Sequence, residues 1–391
     1  MLHLARTGEI CHGLSSLREK GFFVSSYSFT SESVCAGHPD KVADQISDAI
    51  LDEALRQDPH ARTAIETAVT ANRIMLLGEI RLDGSIDYAA VARTQVKHLG
   101  YTNPGFNFSD KAGVDVYIRQ QSTEIAAGVD LDGAGDQGLM FGYACRETKE
   151  LMPLPITLAH ALTRAIDTAR ETKALPYLYP DGKAQVTIRY EDGKPTVVEH
   201  VTIAVPHSAD VTIDDVRQDI HEKIVRPTLA AYNLEAPESN IIVNGTGVWH
   251  SPGPAVDAGL TGRKIVVDGY GGYARVGGGA FSGKDATKVD RSGAYAARYI
   301  AKNIVAANLA DRCEVSLAYY IGAKQPVMTQ INTFGTAKGS EGELNNFATS
   351  LIDTSVKGII EKLELRKPVF LQTAAYGHFG KLELSWEQIK K

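Results

Sequence analysis

The chain has 391 residues, of which 43% are hydrophobic and 23% charged, and 41 basic against 47 acidic residues give a formal net charge of −6. These are the values of an ordinary folded protein, and at about 150 residues per domain the length predicts two or three domains. The acidic balance argues against a nucleic-acid-binding protein, and the absence of any apolar run near roughly 18 residues argues against a membrane protein.

The cysteines and the N-terminal residues carry no cross-linking or sorting signal. The four cysteines are scattered without a C-x-x-C pair, which is typical of the reducing cytoplasm. Residues 1–25 have no apolar core of a secretory signal, and they contain acidic residues that a transit peptide lacks. We therefore expect a cytoplasmic protein whose residues 1–25 are a disordered extension or precede the true start site.

From residue 26 onward the periodicity predicts one pattern three times, β-α-β-β-α-β. The first unit has strands at 27–31, 62–70, 73–81 and 113–120 and helices at 39–57 and 87–99. The second has strands at 138–144, 185–190, 196–205 and 240–244 and helices at 155–172 and 213–229. The third has strands at 264–268, 313–321, 326–334 and 369–373 and helices at 290–308 and 344–363.

The boundaries of these units fall in polar or Gly-rich stretches at 121–137 and 245–262. The sequence therefore predicts an α+β fold of three similar βαββαβ domains, each a mixed sheet with helices on one face. We expect a pseudo-threefold arrangement of domains at 26–125, 133–249 and 251–391.

A Gly-rich window at 259–283 leads directly into Lys284. Gly278-x-x-x-x-Gly283-Lys284 approaches a P-loop, but Asp285 stands where Ser or Thr would bind magnesium, and the predicted helix begins only at Asp290. We reject the P-loop fold and keep its physics, because glycines let backbone N–H groups approach an anion and a lysine adds charge. A hairpin or a domain linker is the alternative.

Cations gather around these glycines, which favours a polyphosphate pocket over a solvated surface of mixed charge. The six between 257 and 291 are Arg263, Lys264, Arg275, Lys284, Lys288 and Arg291.

A second anion site is predicted at Gly37-His38-Pro39-Asp40. Pro39 is favoured at the first helical position, so His38 would cap the helix, and a helix N-terminus attracts phosphate. Mg²⁺ needs only one or two carboxylates beside phosphate oxygens, and Asp40 and Asp290 could supply them. The alternatives are that Asp40 complements the helix dipole and that Asp290 is an N-cap.

Gly133-Ala134-Gly135-Asp136-Gln137-Gly138 is either a site loop that exposes Asp136 or a tight turn. The chain has no G-x-S-x-G, no H-E-x-x-H and no paired Cys/His spacing, which argues against covalent hydrolysis and zinc chemistry.

Five blocks of the sequence resemble one known family, methionine adenosyltransferase, also called S-adenosylmethionine synthetase. The likeness runs from about Phe29 to Glu387. The blocks are SESVCAGHPDKVADQISDAILD (31–52), GAGDQGLMFGYA (133–144), GLTGRKIVVDGYGG (259–272), GGGAFSGKDATKVDRSGAYAARYIAKN (277–303) and TAAYGHFG (373–380).

The resemblance implies a two-stage reaction with the substrates ATP and L-methionine. Methionine sulfur attacks C5′ of ATP and displaces tripolyphosphate, which is then hydrolysed to pyrophosphate and phosphate. It also implies Mg²⁺, with two ions per site, K⁺, and a homodimer or homotetramer whose active sites are shared between chains. Residues 121–131 would form a mobile loop over the site.

The resemblance also assigns residues. The expected catalytic residues are His38, Lys183, Arg263, Lys284 and Asp136. The expected ATP-binding residues are Asp181, Val248, Trp249, Asp257, Lys264 and Ala280, together with His38, Lys183, Arg263 and Lys284. Glu79, Gln121, Asp257 and Lys288 match positions around methionine, and Asp136 lies in the same pocket. Asp40 and Asp290 match Mg²⁺ ligands, and Glu66 matches a K⁺ ligand.

The stretch 244–254 departs from the family pattern. Val248 stands where the family has a cation, and Trp249 stands where an aromatic ring stacks on adenine, which Trp can also do. Two other functions remain: a phosphotransferase that uses the near-P-loop and releases ADP, and a non-catalytic nucleotide-binding regulatory subunit. Such a subunit is expected to lose several charged site residues, whereas here only position 248 has lost its cation.

Overall fold

The computed structural model of the protein describes residues 25–121 and 133–390. The predicted N-terminal extension at 1–25 and the predicted mobile loop at 121–131 fall almost wholly outside the described residues.

The first third contains β1 (Ser26–Val34), α1 (Pro39–Gln57), β2 (Arg62–Thr70), β3 (Arg73–Arg81), α2 (Tyr88–His98) and β4 (Gly113–Gln120). The middle third contains β5 (Gly138–Cys145), α3 (Leu154–Glu171), β6 (Lys183–Glu191), β7 (Lys194–Ala204), α4 (Ile213–Asp219), a π-helical turn (Ile220–Val225), α5 (Arg226–Ala230) and β8 (Ile241–Val243). The last third contains β9 (Gly259–Leu260), α6 (Ile265–Asp268), α7 (Val289–Ala306), β10 (Arg312–Tyr319), β11 (Met328–Asn332), α8 (Glu341–Leu351) and α9 (Val356–Lys362).

These strands form three sheets, which confirms the α+β class. Their orders are β4-β3-β2-β9, β1-β6-β7-β8 and β11-β10-β5. The first two contain both parallel and antiparallel pairs, and the third is antiparallel. Each sheet also takes one strand from a different third of the chain: β9, β1 and β5 respectively. The three thirds are thus joined by backbone hydrogen bonds.

Two helices lie at the centre of the molecule. Nearly every residue of α1 and of α7 is buried, charged ones included. α1 packs on β2 and α7 packs on β5 and β10. A helix that is buried on all sides must pair its polar groups inside the protein. Arg291 in the first turn of α7 pairs with Asp48 of α1, whereas Arg298 and Lys302 further along α7 pair with Glu387.

Most predicted elements of the first two thirds are confirmed, and α1, β2, β3 and β4 have the predicted bounds. In the last third the strand predicted at 264–268 is wrong. It is the short helix α6, in which the Asp268 N–H donates to the Lys264 carbonyl at 2.8 Å. In the sheet that contains β10 and β11, the position beside β10 is occupied by β5 and not by residues 264–268.

Two more predictions of the last third are wrong. The strand predicted at 369–373 is irregular and ends in a 3-10 turn, because the N–H groups of Phe370 and Leu371 donate to Asp52 instead of to a neighbouring strand. The helix predicted at 344–363 is two helices, and the second begins at a new N-cap, Ser355.

Candidate active site

The first group of site residues surrounds the N-terminus of α1, and we call it the Asp40 cluster (His38, Asp40, Lys183, Arg263, Lys264). Asp40 Oδ2 lies 2.5 Å from Lys264 Nζ, and Asp40 Oδ1 lies 3.7 Å from Arg263 Nε. Asp40 Oδ1 also accepts the Leu260 N–H at 3.0 Å. Burial alone would raise the pKa of Asp40, but the hydrogen bonds from Lys264 and Leu260 outweigh it and hold the pKa low. Asp40 is therefore an anion at neutral pH.

His38 caps α1 as predicted. Its Nδ1 accepts the Asp40 N–H at 3.2 Å, and Pro39 occupies the first turn. Burial, followed by the charges of Lys264 and Lys183, lowers the pKa of His38 to about 3. The imidazole is thus neutral, and because Nδ1 is an acceptor its proton is on Nε2, which makes that atom a donor.

Lys183 and Asp181 are close in the chain but have different surroundings. Lys183 begins β6, is exposed, and lies opposite Val34, just before the α1 cap. Asp181 is buried and accepts the N–H groups of Gly182 at 2.7 Å and Gly253 at 3.0 Å. Burial raises the pKa of Asp181 to about 7. The Asp181 side chain therefore fixes the backbone at Gly182 and Gly253. Of the two residues, Lys183 is the one that faces solvent.

The second group we call the Lys284 cluster (Asp136, Lys284, Asp290). Lys284 Nζ lies 2.5 Å from Asp290 Oδ2, in the first turn of α7. Burial raises the pKa of Asp290, Lys284 opposes that shift, and the charge of Asp136 adds to it. Asp136 is exposed, so the Gly133–Gly138 loop brings a carboxylate to this cluster. The N-cap of α7 is Lys288, which corrects the alternative interpretation of Asp290 as the cap.

Strand β2 connects the two clusters. Lys284 pairs with Ala64, and Leu260, next to the Asp40 cluster, pairs with Ala68. Four residues of strand separate these positions by about 13 Å. Glu66 lies between them on the same face and is exposed. The clusters thus flank one stretch of strand, with the Glu66 carboxylate in the middle.

Three of the four predicted methionine residues, Glu79, Gln121 and Lys288, lie toward the Lys284 end of this sheet. Glu79 is opposite Ala64 on β3, and the Gln121 N–H donates to the Ile80 carbonyl at 3.0 Å. Lys288 Nζ lies 2.5 Å from Asp285, a buried carboxylate that also accepts the Thr63 N–H at 2.8 Å. Glu79 and Gln121 therefore lie at the same end of the sheet as Lys284 but on the β3 side of β2, whereas Lys288 is held beside β2 through Asp285.

The remaining predicted residues are less closely attached. Asp257 is exposed, and its loop reaches the Asp40 cluster through Arg263, which donates to the Ala258 carbonyl at 3.4 Å. Val248 is exposed, and the indole N–H of Trp249 donates to the Ser251 carbonyl. Ala280 touches Gly262 so closely that a Cβ at Gly262 would lie 2.5 Å from it.

Within residues 25–121 and 133–390 the side chains do not form a complete set of metal ligands. The described residues contain no group of three or more His, Cys, Asp or Glu side chains that could hold a metal ion. Asp40 and Asp290 are single carboxylates, each engaged by a lysine. They fit Mg²⁺ only if phosphate oxygens and water complete its octahedron, which is how Mg²⁺ commonly binds at nucleotide sites.

The site also depends on residues that the sequence analysis missed. Asp44, Asp48 and Asp285 are buried carboxylates that accept N–H groups of Gly262, Gly283 and Thr63. The spacing of Asp44 and Asp48, four and eight residues after Asp40, places the three carboxylates on one face of the predicted helix, but it does not indicate whether that face is buried or solvated.

Comparison with family models completes the assignment. The N-terminal, central and C-terminal domains of S-adenosylmethionine synthetase match residues 26–123, 131–249 and 252–388. With its three sheets and two cation–carboxylate clusters, the chain belongs to the S-adenosylmethionine synthetase family, a family of transferases. Among the described residues, no helix is both long and apolar enough to cross a lipid bilayer.

Proposed function

We propose that the chain converts ATP, L-methionine and water to S-adenosylmethionine, pyrophosphate and phosphate. The observation that carries this proposal is the pair of clusters along β2, where Lys264 and Lys284 each lie 2.5 Å from a buried carboxylate. Such an array suits a substrate that brings several negative charges. Membership of the S-adenosylmethionine synthetase family supports the same reaction.

The chemistry asks little of a general base. A thioether sulfur is a neutral nucleophile without a proton to lose, so the attack on C5′ needs alignment of sulfur, carbon and leaving oxygen. The main difficulty is the tripolyphosphate that departs with its charge. Fixed cations aimed at that charge stabilise the transition state without reorganisation. We assign that role to Lys183, Arg263, Lys264 and Lys284.

The lysines would change partners when ATP binds. In the structure Lys264 and Lys284 are bound to Asp40 and Asp290. Phosphate oxygens would draw the ammonium groups away and leave both carboxylates to hold Mg²⁺, with Asp136 beside Asp290. Bound Mg²⁺ would supply further charge neutralisation on the phosphate chain. Glu66 is the proposed K⁺ ligand between the clusters.

His38 would act as a hydrogen-bond donor in this scheme. Its neutral imidazole presents Nε2–H, because Nδ1 is occupied by the Asp40 N–H. It can therefore donate to the phosphate chain, or to the leaving oxygen, while remaining neutral. Glu79, Gln121 and Lys288 are proposed to bind methionine, Asp257 to bind either substrate, and Trp249 to stack on adenine in place of the family's usual ring.

We also propose a homodimer or homotetramer with shared sites. The sheet face between the clusters continues into exposed apolar side chains: Leu77 on β3 and its registered neighbour Tyr117 on β4 are 42% and 62% exposed. An apolar sheet face next to a polar site suits burial against a second chain. Light scattering coupled to gel filtration would show a species of at least twice the 42.2 kDa chain mass. A monomer would contradict the shared-site proposal.

The products separate this proposal from its alternatives. Incubation with ATP, methionine, Mg²⁺ and K⁺ should give a sulfonium product with pyrophosphate and phosphate. A phosphotransferase would release ADP, and a regulatory subunit would bind nucleotide without turnover.

A further inference from the structure

Four aspartates of α1 stand four residues apart: Asp40, Asp44, Asp48 and Asp52. This spacing puts their side chains on one face of the helix, about 6 Å from one to the next. All four are buried, with exposures of 2%, 0%, 0% and 4%. A buried carboxylate is costly unless it is paired, so the partners of this row reveal its role.

Every carboxylate of the row accepts a backbone hydrogen bond from the last third of the chain. The donors are Leu260 to Asp40 at 3.0 Å, Gly262 to Asp44 at 2.8 Å, Gly283 to Asp48 at 2.8 Å, and Phe370 and Leu371 to Asp52 at 2.9 Å each. The row therefore attaches the C-terminal segments to α1 at evenly spaced points.

The two glycines among these donors directly precede proposed phosphate-binding cations. Gly262 is followed by Arg263 and Lys264, and Gly283 is followed by Lys284. Both glycines have positive φ, 79° and 81°, which side-chain-bearing residues rarely adopt. A Cβ at Gly283 would lie 1.9 Å from the Ile65 carbonyl oxygen. The backbone that precedes these cations is therefore fixed both by its hydrogen bonds to Asp44 and Asp48 and by close packing around the glycines.

The carboxylates themselves are held rigidly. Asp44 Oδ2 accepts from Lys41 at 2.8 Å, and Lys41 also bridges to Asp268 at 2.5 Å. Asp48 receives both terminal nitrogens of Arg291, at 2.7 and 2.8 Å. A carboxylate that is also bound by a cation is held in place, and it therefore fixes the position of the backbone N–H group that donates to it.

We infer that Asp44 and Asp48 are positioning residues for the reaction: through the Gly262 and Gly283 amides they aim Arg263, Lys264 and Lys284 at the phosphate chain. The inference rests on the proposed function. Asp52 provides a matched control, since it is equally buried and accepts the same kind of bond, but its donors at 370–371 do not precede a site cation.

The test measures binding of inorganic tripolyphosphate by calorimetry to the wild-type chain and to Asp44→Asn, Asp48→Asn and Asp52→Asn. The expected result is at least tenfold weaker binding in the Asp44 and Asp48 variants and a change within twofold in the Asp52 variant. In turnover assays the same two variants should lose kcat while KM for methionine stays within twofold.

Folding is checked first by thermal unfolding. Asp48→Asn leaves buried Arg291 without its anion, so it is the variant at risk. Asp44→Asn is the safer test, because Lys41 keeps its ion pair with Asp268 when the charge of Asp44 is removed. If Asp48→Asn does not fold, the inference is tested with the Asp44 variant alone.

Wild-type affinity in the folded Asp44 variant, or an equal loss in the Asp52 variant, would overturn the inference. A wild-type chain that fails to bind tripolyphosphate would instead overturn the proposed function, and the inference with it.

Discussion

Lys284 Nζ lies 2.5 Å from Asp290 Oδ2 at the start of α7, so a cation of the site is held by a carboxylate that is itself a proposed metal ligand. The same relation joins Lys264 to Asp40. In each pair the positive lysine and the negative carboxylate nearly neutralise each other's charge. A magnesium–polyphosphate substrate can separate the two, because it offers the lysine an anion and the carboxylate a cation.

Removal of the Lys284 charge should damage the chemical step more than methionine binding. We expect Lys284→Met to lower kcat by about 10²- to 10³-fold, the usual effect of losing one preorganised donor, with KM for methionine within twofold. Steady-state kinetics measure both. Lys111→Met, at a side chain that is 80% exposed, is the control and should leave kcat unchanged. Unchanged turnover in Lys284→Met would remove Lys284 from the transition-state role.

Activity should depend on a divalent metal. EDTA is expected to abolish turnover and Mg²⁺ to restore it, and Asp290→Asn should raise the Mg²⁺ concentration needed for half-maximal rate. Asp214→Asn, at a carboxylate that is 88% exposed, should not shift that concentration. Full activity after exhaustive chelation would contradict the assignment of Asp40 and Asp290 to Mg²⁺.

His38 should remain neutral across the working pH range. Burial and the charges of Lys264 and Lys183 lower the pKa of His38 to about 3, so its NMR signals should not titrate between pH 5 and 8. The folded state binds this proton less readily than the unfolded state. The resulting stability is complete above about pH 6.5 and is lost as the pH falls toward 3. A titration midpoint near 6.5 that disappears in His38→Asn would contradict the buried, neutral cap.

Gly283 should tolerate a side chain less well than other glycines with the same backbone conformation. Gly193 has φ 75° and open space around the position that a Cβ would take, with no atom within 4 Å, whereas a Cβ at Gly283 would meet the Ile65 carbonyl at 1.9 Å. Gly193→Ala should cost about 1–2 kcal/mol of unfolding free energy for its backbone strain alone. Gly283→Ala should cost about 1–3 kcal/mol more for the clash. Equal losses in denaturant unfolding would contradict the close approach.

Local signals in the sequence were sufficient for the first two thirds. Pro39 and the apolar spacing that follows it indicated α1, and the alternation in 62–70 and 73–81 indicated β2 and β3. The strand expected at 264–268 failed because its apolar residues suit either a strand or a helical turn. Which sheet a strand joins is decided by packing between distant segments, and so the exchange of β1, β5 and β9 could not be predicted from local pattern.

The charge pattern and the glycine content indicated the candidate site, but they did not indicate the buried carboxylates that hold its backbone. Of the six cations around the Gly-rich window, Arg263, Lys264 and Lys284 lie beside Asp40 or Asp290. The other three pair with other carboxylates: Arg275 with Glu314, Lys288 with Asp285 and Arg291 with Asp48. The burial of Asp44 and Asp48 could not be read from the sequence, because a charged residue in a helix is usually solvated. Only the folded structure shows that their carboxylates accept hydrogen bonds from the N–H groups of Gly262 and Gly283.

Identification of the reaction products tests the proposed adenosyl transfer. The purified chain is incubated with ATP, methionine labelled at its methyl group, Mg²⁺ and K⁺, and the products are separated and weighed by mass spectrometry. We expect a labelled adenosyl sulfonium formed in equal amount to pyrophosphate and phosphate, without ADP. Release of ADP, or consumption of ATP without a sulfonium, would contradict it.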